Sequence, residues 1–101
     1  MLTRKMDKLR RIVIPNDVYM RLKLKEYQNM EMTIEYGCIC IRVHNEKDIE
    51  KRPYVGIVRG LDQLHRIVIP KEYLKVLNLK ENTRFVMELE GKTIRIYPKE
   101  E

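Results

Sequence analysis

Cys38, Cys40 and His44 form a C-x-C-x3-H run, the one place where metal-ligating residue types cluster in sequence. A structural zinc site needs four such ligands, and no fourth is evident here. If Cys38 and Cys40 stand two apart on a strand, they share one face, opposite Ile39 and Ile41. That makes them ordinary strand positions, and no metal is expected. His44 and His65 have no matched serine, cysteine or carboxylate arrangement. No phosphate-binding glycine loop, Walker motif or paired-carboxylate site occurs. The sequence therefore offers no catalytic constellation and calls for no cofactor.

Charge is the stronger chemical signal. The 101 residues include 21 Lys and Arg against 15 Asp and Glu, a net charge of +6, with an isoelectric point near 9.4. That balance favours a polyanionic partner, nucleic acid first and an acidic membrane surface second. No apolar run approaches the roughly 18 residues that a membrane span requires. The start, MLTRKMDKLRR, is basic but lacks the apolar stretch of a secretory signal. Two cysteines suit a reducing compartment rather than a disulfide framework.

The elements that must position these charges come from an internal repeat. RRIVIP ends at Pro15 and HRIVIP at Pro70, and the offset of 55 residues holds in both directions without a gap. Arg4 pairs with Arg59, Asp7 with Asp62, Leu9 with Leu64 and Arg11 with Arg66. Downstream, Leu22 pairs with Leu77, Leu24 with Leu79, Lys25-Glu26 with Lys80-Glu81, Met32 with Met87, Ile39 with Ile94 and Ile41 with Ile96. The boundaries expected are a first unit over 1–43, a polar linker over 44–53 and a second unit over 54–101. The linker, HNEKDIEKRP, is about ten residues and reaches up to roughly 30 Å, enough for the second unit to fold back on the first.

Each unit opens with an extended segment, Leu2–Met6 or Val55–Leu61, and turns into the β-branched run Ile12-Val13-Ile14 or Ile67-Val68-Ile69, which favours a strand. The proline that follows ends the strand and suits the first turn of a helix. Val18 and Leu22, and Tyr73 and Leu77, stand four apart and share a helical face. Asn78 suits a left-handed C-terminal cap better than its counterpart Lys23. A hairpin closes each unit. Its inward set is Met30, Met32, Ile34, Ile39 and Ile41 in the first, and Phe85, Met87, Leu89, Ile94 and Ile96 in the second, where Glu90-Gly91 makes the turn. A β-β-α-β-β unit of about 43 residues buries too little to stand alone, which points to two units sharing one core.

The stretch GIVRGLDQLHRIVIPKEYLKVLNLKENTRFVMELEGKTIRIYP resembles the N-terminal domain of AbrB-type transition-state regulators. The likeness rests on the extended G-I-V-R start, the Asp-x-x-x-Arg turn, the R-I-V-I-P strand, the L-x-L-K-E link and the closing hairpin. The first unit shares it through Arg4, Asp7, Arg11, IVIP and LKLKE. Tandem units in one chain are also similar, more distantly, to the MraZ arrangement. The resemblance implies a mostly β fold with short helices, in which the two β-β-α-β-β units form an intrachain pseudo-twofold swapped-hairpin β-barrel. The chain would be a monomeric pseudo-dimer, with exchange of units into a homodimer as the alternative.

The resemblance also implies double-stranded DNA as the partner, a transcriptional regulator as the function and the cytoplasm as the location, at the nucleoid when bound. Family arginines on the first strand and at the start of the second contact DNA, and the matching positions are Arg4, Arg59, Arg11 and Arg66. Guanidinium groups can fork onto phosphate or guanine. On the helix, the family's two basic positions correspond to Tyr19 and Met20, and to Leu74 and Lys75, so Lys75 alone keeps the pattern. The family's glycine before the second-strand arginine is Arg10 in one unit and His65 in the other. Residues 4–11 hold five basic side chains against one acid, which adds Lys5, Lys8 and Arg10 as phosphate contacts and makes the first unit the stronger expected binder. The structural reading of Asp-x-x-x-Arg is an internal salt bridge that shapes the loop. Two other functions fit the same barrel: a MazE-type antitoxin, although such proteins usually add a toxin-binding tail and this sequence stops at Pro98-Lys99-Glu100-Glu101, and a structural or interaction module that binds no DNA.

Overall fold

Stiff β-branched side chains fit a pleated surface better than a helix, and the two Ile-Val-Ile runs lie accordingly in strands. The computed structural model describes residues 2–45, 47 and 56–99. Its elements are β1 (Leu2–Lys5), β2 (Arg11–Val13), α1 (Asn16–Arg21), β3 (Asn29–Glu35), β4 (Cys38–Val43), β5 (Ile57–Gly60), β6 (Arg66–Val68), α2 (Lys71–Val76), β7 (Arg84–Glu90) and β8 (Thr93–Pro98). The order β-β-α-β-β thus occurs in each half. Most of the expected linker, residues 46 and 48–53, lies outside the described residues, as do 54 and 55.

The helices have only six residues each, too few to persist without packing. Pro15 and Pro70 precede them with φ near −60°, and neither has a side-chain cap. Val18 and Leu74 are buried, and Tyr19, Leu22, Tyr73 and Leu77 pack against the core. Both helices end in the same way. Leu24 N–H donates to Tyr19 O and Lys23 N–H to Met20 O; Leu79 N–H donates to Leu74 O and Asn78 N–H to Lys75 O. This is a Schellman closure, and it holds Lys23 and Asn78 alike at φ 54°. The poorer cap residue takes the same conformation as the better one.

Eight strands form two antiparallel sheets, one of six strands in the order β1-β7-β8-β4-β3-β5 and one of two, β2-β6. The first strand of each half completes the other half's hairpin: β1 lies on β7 with Leu2 opposite Met87, and β5 lies on β3 with Ile57 opposite Met32. Gly56 makes that second approach feasible, because a Cβ there would stand 1.9 Å from Met32 O. The hairpins meet through β4 and β8, where Cys40 faces Arg95, and the ribbon meets where Ile12 faces Ile67. Both are pairs of equivalent residues under the offset of 55, as an approximate twofold axis through both sheets requires. The fold is the expected mostly β, swapped-hairpin arrangement.

Each half supplies residues to one core. Ile12, Ile14, Met30, Met32, Ile39 and Ile41 interleave with Ile67, Ile69, Phe85, Ile94 and Ile96, all fully buried or nearly so. Ile34 departs from the expected inward set in being only half-buried, and Leu89 packs at the margin. Both sit next to two-residue hairpin turns, where the sheet runs out beyond its cover.

Candidate nucleic-acid interface

The Asp-x-x-x-Arg segments form two nearly identical loops. In the first, Asp7 N–H donates to Arg11 O and Arg10 N–H to Asp7 O, both at 3.0 Å. The Asp7 carboxylate then accepts from three donors: Leu9 N–H (2.9 Å) and Arg11 N–H (2.8 Å) at Oδ1, and Arg11 Nε (2.7 Å) at Oδ2. In the second, Asp62 accepts from Leu64 N–H (2.9 Å), Arg66 N–H (2.9 Å) and Arg66 Nε (2.6 Å). Burial pushes each carboxyl up, but the amide and guanidinium donors outweigh it and hold both below the ordinary aspartate range. The loops close through left-handed residues, Arg10 at φ 62° and His65 at φ 61°. The turn closes at both positions without a glycine. Arg10 and His65 also take amide bonds across the ribbon, from Ile69 and Ile14.

These loops deliver their arginines to one surface. Side chains alternate along a strand, and directly opposed residues share a face. Ile12 and Ile67 point into the core, so Arg11 and Val13 of β2 and Arg66 and Val68 of β6 face outward. Arg11 and Arg66 are diagonal neighbours on that ribbon, with Cα atoms about 7–8 Å apart. Each uses Nε on its aspartate. Neither guanidinium makes another side-chain hydrogen bond among the described residues, so the terminal nitrogens stay available. Arg10 joins the cluster, its Nε donating to Ile69 O at 3.3 Å. The salt-bridge reading of the motif is thus realised in the geometry: it fixes each Nε on its aspartate, and the terminal nitrogens take no side-chain partner among the described residues.

The other expected contacts are placed less closely. Arg4 is half-buried and Arg59 exposed, and each turns a terminal nitrogen back to the preceding carbonyl, Thr3 O (3.0 Å) or Val58 O (2.9 Å). Lys5 and Lys8 are exposed beside the first loop. Lys75 is exposed in the last turn of α2 and forms no hydrogen bond or ion pair with the other seven. Two of the other three helix positions are packing sites, Tyr19 stacking on His65 with ring centroids 3.8 Å apart and Leu74 buried, while Met20 is exposed. Two exposed residues of these loops were not among the site candidates read from the sequence. Leu9 and Leu64 are about 60% exposed at the loop tips (60% and 63%). Their signal is an apolar residue inside a polar loop, outside any strand or helix period.

Away from this ribbon, Cys40 is buried, and burial raises its thiol pKa above the usual value. Cys38 accepts from Arg95 Nη2 at 3.4 Å. Among the described residues no group of three or more His, Cys, Asp or Glu could hold a metal ion, and no helix is long and apolar enough to cross a membrane.

Residues 62–101 match the family model for antidote-toxin recognition MazE, bacterial antitoxin. The matched stretch starts at Asp62 of the second loop and runs through β6, α2, β7 and β8. It supports the AbrB/MazE-like swapped-hairpin superfamily, whose members are DNA-binding regulators or antitoxins. No curated protein matches the chain.

Proposed function

We propose that the chain, part of which matches a MazE-type model, is a duplex-DNA-binding transcriptional regulator of the AbrB kind, built from two tandem copies of one half-barrel over 1–43 and 54–101. The observation that carries this reading is the pair of identical Asp–Arg loops, which set Arg11 and Arg66 side by side on the outer face of a two-stranded ribbon. A ribbon of that kind fits the major groove, where guanidinium groups can fork onto guanine. Arg4, Lys5, Lys8, Arg10, Arg59 and Lys75 would contact phosphate and set affinity rather than sequence choice. Leu9 and Leu64 would meet thymine methyls or sugar at the groove edge. The chain acts as a monomeric pseudo-dimer in the cytoplasm and does no chemistry on its ligand.

The test is fluorescence anisotropy of the full chain on mixed-sequence duplex across a salt series. Binding falls steeply with salt, R11A/R66A lowers affinity by more than about tenfold, and K5A/K8A reduces the salt slope by about one for each lost phosphate contact. Circular dichroism checks that each variant is folded. Unchanged affinity in folded R11A/R66A rejects the ribbon as the contact surface.

The match at residues 62–101 favours a second reading, an antitoxin that also binds DNA. Rescue of growth when the chain is co-expressed with a toxin encoded beside it would establish that role, and a neighbourhood without one would leave the regulator.

A further inference from the structure

The arginine ribbon is not the only concentration of positive charge. A groove runs between the C-terminal end of α1, the end of β4 and the β7–β8 turn. Arg21, Lys23, Arg42 and Lys92 wall it, Leu22 and Val43 form its floor, and none of the described carboxylates lines it. Arg42 is already engaged, donating to Glu35 at 2.7 Å and to Thr93 at 3.1 Å, so it is a fixed part of the wall. Arg21, Lys23 and Lys92 are exposed, and their side chains form no hydrogen bond or ion pair among the described residues. Lys23 is held in place by the Schellman closure of α1. Val43 exposes 39% of its surface at the floor.

The other half has no such groove wall. At the places of Arg21, Lys23, Arg42 and Lys92 stand Val76, Asn78, Tyr97 and Gly37. Among the described residues the basic groove therefore occurs once, whereas the arginine loops occur twice. Basic residues do complement the negative end of a helix, but Lys92 lies on a hairpin turn and owes nothing to α1. Phosphate needs no apolar floor, and this groove has one in Leu22 and Val43. Free cations around an apolar strip complement a segment whose acidic side chains flank apolar ones.

We infer that this groove docks an acidic peptide segment of a partner protein, with apolar side chains on Leu22 and Val43 and carboxylates on Arg21, Lys23 and Lys92. The surface is separate from the proposed DNA ribbon and does not depend on it.

The experiment titrates the full chain into a labelled short peptide of alternating glutamate and leucine, followed by anisotropy. Binding saturates, and R21S/K23S/K92S weakens it by about tenfold through the loss of three exposed ion pairs. Replacing the peptide's leucines by serine weakens it as well. The reversal variant K23E/K92E switches preference to a second peptide of alternating lysine and leucine, which a fold defect could not produce. Duplex DNA affinity of the triple variant stays within about twofold of the parent. The proposal fails if the parent shows no saturable binding, if the triple variant binds the peptide as the parent does, or if the serine peptide binds equally well. It also fails if the triple variant loses duplex affinity and keeps peptide affinity, which makes the groove a nucleic-acid contact.

Discussion

Asp7 and Asp62 anchor their loops with matching bonds whose lengths agree within 0.1 Å, whereas the helices beside them are packed differently. Tyr73 of α2 sends its hydroxyl to Met32 O at 2.6 Å, and the equivalent position on α1 is Val18, too short for that bond. The sheet's outer face diverges too. Glu35 pairs with Arg42 in the first half, Glu90 pairs with Arg95 in the second, and Cys40 meets Arg95 on the axis. Three kinds of place are held alike: core positions at the axis, where each half is the other's interior, the closures of the two helices, and the arginine loops. The first likeness is a demand of burial and the second of helix termination. The third comes from the bonds of the shared Asp-x-x-x-Arg segment, and the exposed Leu9 and Leu64 at its tips are the structural reason to look for a ligand there.

The largest effect tests the shared core. Ile12 and Ile67 are fully buried and face one another across the axis. Truncating either to alanine removes methyl groups from both halves' interior and costs about 2–5 kcal/mol. Urea unfolding of I12A and I67A should give similar losses within one cooperative transition. Two separate transitions, or a loss confined to one half's probes, would show that the halves fold independently.

The next effect separates loop shape from loop charge. Asn at position 7 or 62 keeps one acceptor oxygen and loses the charged bond to arginine Nε. The carboxylates are about one-third exposed (37% and 35%), so the cost is about 1 kcal/mol for each. D7N and D62N should agree within about 0.5 kcal/mol by denaturant midpoint. A clear inequality would mean that the matching bonds sit in unequal surroundings.

Much of this architecture was readable in the residues. The offset of 55, the Ile-Val-Ile runs and the hairpin periodicities locate the elements, because period and β-branching report burial directly. The helices were readable as short amphipathic turns through Val18 and Leu22. The site was readable as residue types, Arg11 and Arg66 above all, but not as a geometry. That the aspartates take Nε, with no other side-chain partner for the guanidinium among the described residues, depends on rotamers, which no spacing encodes. The left-handed backbone at Arg10 and His65 was hidden because the loop's bonds, not the local residue, set φ there. The basic groove was illegible for a different reason: Arg21, Lys23, Arg42 and Lys92 come together only through tertiary packing.

A smaller effect concerns acid. Arg42 and Thr33 donate to Glu35 and hold its carboxyl at about 2, against an ordinary 4.5. A depressed carboxyl contributes stability that is complete above its unfolded value and is lost as pH falls toward its folded one. The chain should therefore lose part of its stability between about pH 4.5 and pH 2, with Asp7 and Asp62 adding to the same slope. E35Q should flatten the slope in urea titrations at several pH values. An unaltered slope would place the acid sensitivity in the two loops, on the side of the molecule where the halves agree.

The smallest effect lies at the helix ends, where conformation agrees and residue type does not. Lys23 and Asn78 share φ 54°, but a left-handed backbone costs a lysine more than an asparagine, whose short polar side chain tolerates it. Glycine relieves that cost and adds some freedom to the unfolded chain. K23G should gain about 0.5 kcal/mol in denaturant midpoint, and N78G should gain less or nothing. If both gain alike, asparagine gives no relief at this cap and the two ends are strained equally. If K23G loses stability, the lysine stem must cover apolar surface beside Leu22, which would make Lys23 part of the groove's structure as well as its charge.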